Sequence, residues 1–147
     1  MILNLGCGLD KKPLYTNIDL YEEFKPEVVA SIDQLPFKTE SIQRVRAHHV
    51  LEHVPQTKVI QCMNEIHRVL KNGGLFEFET PSSNSRAAFQ DPTHVSYWNI
   101  NSWFYFFDTI YRQQARIKAK FKKIYLNDIR ISEELDIIVT RGLVEKV

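Results

Sequence analysis

The stretch Met1-Ile2-Leu3-Asn4-Leu5-Gly6-Cys7-Gly8 decides how this chain is read. A short, mainly apolar run that stops at glycine reads as a buried strand. Two of the three turn residues lack side chains, so a ligand can approach the backbone there. The N–H groups of such a turn can hold a carboxylate or phosphate. A second strand spans residues 15–20 and carries Asp19 near its end. A carboxylate at that point can accept hydrogen bonds from both ribose hydroxyls. Together these features describe a site for a nucleoside cofactor; taken alone, they also fit a glycine turn and a surface aspartate. A dinucleotide fits less well. Lys11 replaces the third glycine of the G-x-G-x-x-G fingerprint, and no helix follows to hold a pyrophosphate.

Working outward, residues 27–32 read as a short strand near an edge. In residues 43–47, Val45 and Ala47 alternate with Arg44 and Arg46, the period of a strand. The period then changes. Val59, Ile60, Met63, Ile66, Val69 and Leu70 recur at helical spacing, which predicts an amphipathic helix over 57–71. Asn72-Gly73-Gly74 is expected to stop it as a left-handed cap. Residues 75–80 form the next strand, ended by Pro81. Residues 82–101 make a long polar and aromatic loop, and loops of that length tend to be functional or mobile. Residues 102–111 read as an aromatic-rich helix. Residues 119–125 and 135–140 read as two antiparallel strands. Strands alternating with a strong helix predict an α/β fold with a mostly parallel sheet. Only about ten residues separate the first two strands, fewer than the dozen or so of an ordinary parallel crossover. The crossover helices are therefore expected to be trimmed to loops.

The 147 residues suffice for one domain, expected over 1–147, and 25% charged residues is ordinary globular composition. The formal net charge of +1 implies no polyanionic or polycationic partner. Two cysteines, Cys7 and Cys62, make no disulfide framework. No apolar run is long enough to span a membrane and no leader pattern is present, so the expected location is the cytoplasm.

Five segments in order resemble the class I S-adenosylmethionine-dependent methyltransferases of the small, type 11-like group. Residues Ile2 to Gly8 resemble their first motif. Asn17-Ile18-Asp19 resembles the acidic end of their second strand. Asp33-Gln34-Leu35-Pro36-Phe37 resembles a D-x-L-P-F segment that lines the adenine. His49-Val50-Leu51-Glu52-His53-Val54 resembles the stretch after the fourth strand. Glu65 to Gly74 resembles the helix and turn before the fifth. The resemblance covers residues 1–81. It implies a Rossmann-like, mostly parallel sheet with trimmed crossover helices and a C-terminal antiparallel strand pair. It also implies S-adenosylmethionine as cofactor. Gly6, Cys7 and Gly8 would hold the methionine end, Asp19 the ribose hydroxyls, and Leu20 would pack on the adenine. Asp33 and Gln34 would reach the adenine amine, Leu35 would lie against the ring, and His48 or His49 would sit beneath the sulfonium. The chain departs from the family in three places: no helix precedes the first strand, the first crossover helix is missing, and the C-terminal region is short. An uncovered sheet face left by this trimming would be an apolar patch, which points to a homodimer.

His49-x-x-Glu52-His53 also matches the H-x-x-E-H pattern of inverted zinc peptidases. Pro55 marks a helix boundary just past it and the family accounts for the same residues, so no metal is expected. His94, three residues after Asp91 in the long loop, is the candidate general base, with Asp91 as its partner. The competing reading is that both residues cap and pack a turn. The aromatic residues Trp98, Trp103, Phe104, Tyr105, Phe106 and Phe107 read as core or interface. The basic run from Arg112 to Lys123 reads as the wet face of an edge strand, where lysines block pairing. The place after the fourth strand holds Ala47-His48-His49, not the Pro-Pro-aromatic motif of nucleobase amino-methylating enzymes, so no nucleic acid is expected. The expected function is methyl transfer to a small-molecule or saccharide-like acceptor. The alternative is a non-catalytic module that binds the cofactor or a protein.

Overall fold

Alternation along the central strands separates two unlike faces of one sheet. The computed structural model describes residues 1–147. Strands β1 (Ile2–Leu5), β2 (Thr16–Asp19), β3 (Val28–Val29), β4 (Ile42–His48) and β5 (Leu70–Pro81) pair in parallel. Strands β6 (Phe121–Ser132) and β7 (Ile137–Lys146) form an antiparallel hairpin, and β7 joins the sheet against β5. The order is β3-β2-β1-β4-β5-β7-β6. This is the Rossmann-like sheet expected from the sequence, with its antiparallel C-terminal pair and trimmed crossovers.

One face is the core. Leu3, Leu5, Val45, Ala47, Phe76 and Phe78 are fully buried on it. Helix α1 (Val59–Val69) covers them with Cys62, Met63, Ile66 and Val69, which recur on one side of the helix. Trp103, from the short helix α2 (Ile100–Phe104), stacks on Phe78 with ring centroids 3.4 Å apart.

The opposite face corrects an expectation. Parallel sheets are normally covered on both sides, and the trimmed helices pointed to an apolar patch. Instead this face carries a row of charge. Arg44 pairs with Glu77, Arg141 with Glu79, and Arg46 reaches Asp10 at 3.1 Å. The alternation of Arg44 and Arg46 with Val45 and Ala47 already contained this result. Leu143 and Tyr125 share this face by register, but the charged row replaces the continuous apolar patch from which a homodimer was expected.

Ten residues, 6–15, join β1 to β2. No helix lies on that link; two buried amides do its packing. Asn4 Nδ2 donates to Asn17 Oδ1 at 2.9 Å and to the Asp10 carbonyl at 3.0 Å. Asn17 in turn accepts from Lys12 N–H at 2.8 Å and donates to the Lys12 carbonyl at 3.1 Å. Arg46 Nη1 donates to Asn4 Oδ1 at 2.8 Å. The loop backbone is thus hydrogen-bonded to strand side chains and needs no helical ladder.

Two other boundaries differ from the sequence reading. The helix ends at Val69, and its cap is Leu70 in extended conformation, not the glycines. Leu70 already pairs with Ile42, and the register shifts before Arg44 pairs with Leu75. Gly73, at φ +74°, serves that irregular strand entry. The aromatic helix is two helices, α2 and α3 (Thr109–Gln114). Asp108 breaks it by capping α3, accepting from Ile110 N–H at 2.8 Å and Tyr111 N–H at 3.0 Å.

Two substitutions test this packing. A Cβ at Gly142 would stand 2.2 Å from Phe78 Cζ, on a ring already stacked against Trp103. Gly142→Ala is expected to cost about 1–3 kcal/mol by overpacking. Asn17→Ala takes from the Asn4 amide its partner across the strands and leaves the Lys12 N–H without one, and is expected to cost about 3 kcal/mol. Urea denaturation of each variant reads both values; a loss below about 0.5 kcal/mol would contradict the packing described.

Candidate functional site

The loops following β1, β2, β3 and β4 meet at one end of the sheet and enclose a cavity of about 470 Å³. That is the position where open α/β sheets place their ligands. Gly6 lies at φ +59° and Gly8 at φ +44°, backbone that glycine adopts without strain. A Cβ on Gly6 would fall 2.2 Å from Val50 Cγ2, so its absence lets the loop after β4 close against the loop after β1. A Cβ on Gly8 would meet nothing within 4 Å.

Asp19 links the first two loops. Its Oδ2 accepts from Gly8 N–H at 2.8 Å and its Oδ1 from Tyr21 N–H at 3.0 Å. Asp19 as a residue is 7% exposed, and each carboxylate oxygen keeps a lone pair for a further donor. Asp33 is held on the far side by Lys58 Nζ at 2.8 Å and by the Ser31 hydroxyl. Those two partners, Lys58 first, hold its pKa below the usual carboxylate value.

Of the residues singled out from sequence, Gly6, Asp19, Leu20, Asp33 and His49 line the cavity. Five do not. Gly8 is absent from the lining, with its N–H given to Asp19. Cys7 is buried and donates its N–H to the Ile18 carbonyl at 3.0 Å. Gln34 is exposed. Leu35 lies in the core, with its N–H donating to Glu65 Oε1 at 2.8 Å. His48 belongs to the charged face, with Nε2 3.2 Å from Glu77 Oε1, and burial lowers its pKa. Strand alternation explains this last case: Ala47 faces the core, so His48 faces away from it.

The cavity also takes residues the sequence did not mark. Tyr21 and Phe24 follow β2 directly, on and beside a 3-10 turn. Ile32, Val54 and Cys62 supply apolar wall. Burial pushes the Cys62 thiol up to about 12, so it is neutral at physiological pH. The helical spacing that marked Met63 and Ile66 as core could have marked Cys62, one residue earlier on the same face.

The segment after β4 has an unusual backbone. His49 is left-handed at φ +53°, and Leu51–His53 is a single 3-10 turn. His49 and His53 therefore do not share a helix, and the H-x-x-E-H geometry of a zinc peptidase does not form. His49 Nε2 lies 2.8 Å from Glu79 Oε1, and Nδ1 lies 3.4 Å from Glu52 Oε1. Glu52, then Glu79, push its pKa up to about 9. Glu79 is held down at about 2, by His49 first and then by Arg141, against the effect of burial. His49 is thus a cation at neutral pH.

Residues 82–101 are anchored rather than loose. Val95 and Ser96 donate their N–H groups to the Glu52 carbonyl at 2.9 and 3.1 Å, and Ser96 Oγ donates to the Leu51 carbonyl at 2.9 Å. This brings His94 beside His53, edge-on, with centroids 5.0 Å apart. The expected His94–Asp91 pair does not have hydrogen-bond geometry. His94 Nε2 is 3.7 Å from Asp91 Oδ2. Asp91 instead caps its own turn, accepting from Thr93 N–H at 2.8 Å and Thr93 Oγ1 at 2.7 Å. Neither residue lines the cavity; His53 does.

Comparison with known proteins agrees with this arrangement. Residues 3–78, more than half of the chain, match the family described as "Methyltransferase domain". An uncharacterized protein of Methanocaldococcus jannaschii is 34% identical over 87 residues, which is 50% of this chain and 37% of that protein. The chain thus spans little more than a third of this curated relative. A S-adenosylmethionine-dependent methyltransferase structure from Methanosarcina mazei superposes with a TM-score of 0.74 at 16% identity, covering 99% of this chain and 92% of that one. The 1,6-didemethyltoxoflavin-N1-methyltransferase of Burkholderia thailandensis, solved with bound 1,6-didemethyltoxoflavin and S-adenosylhomocysteine, superposes at 0.67 and 12% identity, covering 99% and 70%. With the ordered motifs, the sheet order and the cavity at the strand ends, these matches settle the family: the chain belongs to the type 11 methyltransferase domain family, whose cofactor is S-adenosylmethionine.

Proposed function

We propose that residues 1–147 act as one methyltransferase-like domain that binds S-adenosylmethionine in the 470 Å³ cavity and passes its methyl group to a small-molecule or saccharide-like acceptor. The observation that carries this reading is Asp19. It ties Gly8 and Tyr21 together through backbone N–H groups and keeps lone pairs free at the cavity wall.

The residues present fit the cofactor. A cavity of this size lies within the range of about 300–1,000 Å³ common to small-ligand sites. Asp19 would accept from the ribose hydroxyls, Leu20 and Ile32 would flank the adenine, and Asp33, fixed by Lys58, would take its amine. The open space over Gly8 and the left-handed turn from Gly6 let backbone groups meet the amino-acid end. When bound, the cofactor supplies a methyl group made electrophilic by its sulfonium. The protein's task is then alignment, which contributes at best about 7–11 kcal/mol to such displacements. His49 brings positive charge to this end of the cavity, and His53 is the imidazole that faces an incoming acceptor. His94 and Asp91 act behind His53. The anchored 82–101 loop bounds the acceptor side, and the small heteroaromatic substrate of the Burkholderia protein supports an acceptor of modest size.

A second reading, binding of the cofactor without turnover, is favoured by one observation: neither Asp91 nor His94 lines the cavity. Calorimetric titration with S-adenosylmethionine and S-adenosylhomocysteine, followed by transfer of labelled methyl to an acceptor panel, distinguishes the two. Saturable one-to-one binding is expected. Asp19→Asn is expected to weaken it by about 10–100-fold, through loss of hydrogen bonds to a charged group. Absence of binding at millimolar cofactor would end both readings. Binding with no labelled product across the panel would leave the second.

A further inference from the structure

We propose that Glu52, His53 and His94 form a binding site for one divalent transition-metal ion of the zinc class, beside the cofactor cavity. Ligand atoms from the three side chains lie within 4.8 Å of one another. The sequence set a metal aside because His49 and His53 were the pair in view; the structure removes His49 and supplies His94 from the 82–101 loop.

Two independent observations point to an ion. The first is Glu52. It is 2% exposed, and neither carboxylate oxygen accepts a hydrogen bond. His49 Nδ1, 3.4 Å from Oε1, is an ion-pair contact only. The His49 cation therefore meets Oε1 alone and without hydrogen-bond geometry, and Oε2 has no partner; a buried carboxylate met so incompletely is a costly arrangement unless a further cation completes it. The second is the way the two imidazoles are held. His94 Nδ1 lies 2.9 Å from the Ala88 carbonyl, and His53 Nδ1 lies 3.2 Å from the Thr93 carbonyl. A ring nitrogen facing a carbonyl oxygen must carry the proton, so in the neutral ring the lone pair sits on Nε2. The Thr93 hydroxyl agrees, because it donates to Asp91 and so can only accept from His53. Fixing one ring N–H on a backbone carbonyl is how metal-binding histidines are oriented.

Donor chemistry selects the ion. Two imidazole nitrogens and one carboxylate suit zinc or cobalt, whereas magnesium and calcium take oxygen alone. Three protein ligands leave a fourth tetrahedral position for water. Ligands around one zinc ion stand roughly 3.4 Å apart, so the cluster must contract slightly. His53 is exposed and can move to do so. The other occupant that would relieve the cluster is a proton on one imidazole.

The test uses the tag-free full chain, stripped with chelator and titrated with Co²⁺ and then Zn²⁺. One equivalent of Co²⁺ with visible bands of a four- or five-coordinate ion, displaced by Zn²⁺, is expected. His53→Ala, His94→Ala and Glu52→Gln should each weaken binding by about 100-fold or more, beyond the 10–100-fold typical of outer-shell changes. His67→Ala, on α1, should leave it unchanged. Melting curves identify any variant that fails to fold, and exposed His53 keeps the test decisive if Glu52→Gln does. No saturable cobalt spectrum, or binding that survives both histidine variants, overturns the site and leaves a proton as its occupant. Cofactor titration is read separately, so this result stands or falls apart from the methyl-transfer proposal.

Discussion

The structure depends on a link of ten residues between two parallel strands. A parallel connection must return the chain to the starting end of the sheet, and a helix normally supplies both the length and the backbone hydrogen bonds. Here Asn4 and Asn17, facing each other across β1 and β2, bond the loop with their side chains. Because that loop stays tight, Gly6 and Gly8 keep their left-handed turn and Asp19 can reach Gly8. The turn that borders the cavity at the strand ends is therefore braced by two buried amides. Such amides are costly when unpaired and specific when paired, which ties the integrity of the site to the integrity of the fold.

Trimming has a second consequence. Without helices on one side, the sheet needs a face that tolerates water. Arg44, Arg46, Glu77, Glu79 and Arg141 provide it. The same charges reach the functional end, because Glu79 belongs to this row and holds His49, which also faces Glu52. Electrostatics of the solvent-facing sheet and of the cavity are thus one connected system.

Much of this was legible. The helical spacing around Met63, the glycine turn and Asp19 at a strand end follow from local periodicity and backbone chemistry, and the order of the motifs carries the family resemblance. The misplacements share a cause. Gly73 and Gly74 looked like a helix cap, but a strand pairing with Ile42 begins first at Leu70. Residues 102–111 looked like one helix, but Asp108 caps a new one. His48 and His49 looked equivalent, but adjacent positions at a strand end face opposite ways. In each case a non-local pairing or a cap competed with a local pattern and won.

By itself the sequence determined a mostly parallel sheet and the strand carrying each motif, because these rest on spacing within a few residues, while the kind of cofactor came from the resemblance of the ordered motifs to the type 11 methyltransferases. Only the tertiary structure decided which of those residues share a cavity. It moved Leu35 into the core and His48 to the charged face, and it brought Tyr21, Val50 and Cys62 to the cavity wall. It also set His94 against His53 and Glu52, across some 40 residues of chain. The physical reason is that such encounters are fixed by loop anchors, here the Glu52 carbonyl and Ser96, whose partners are distant in sequence and carry no local period.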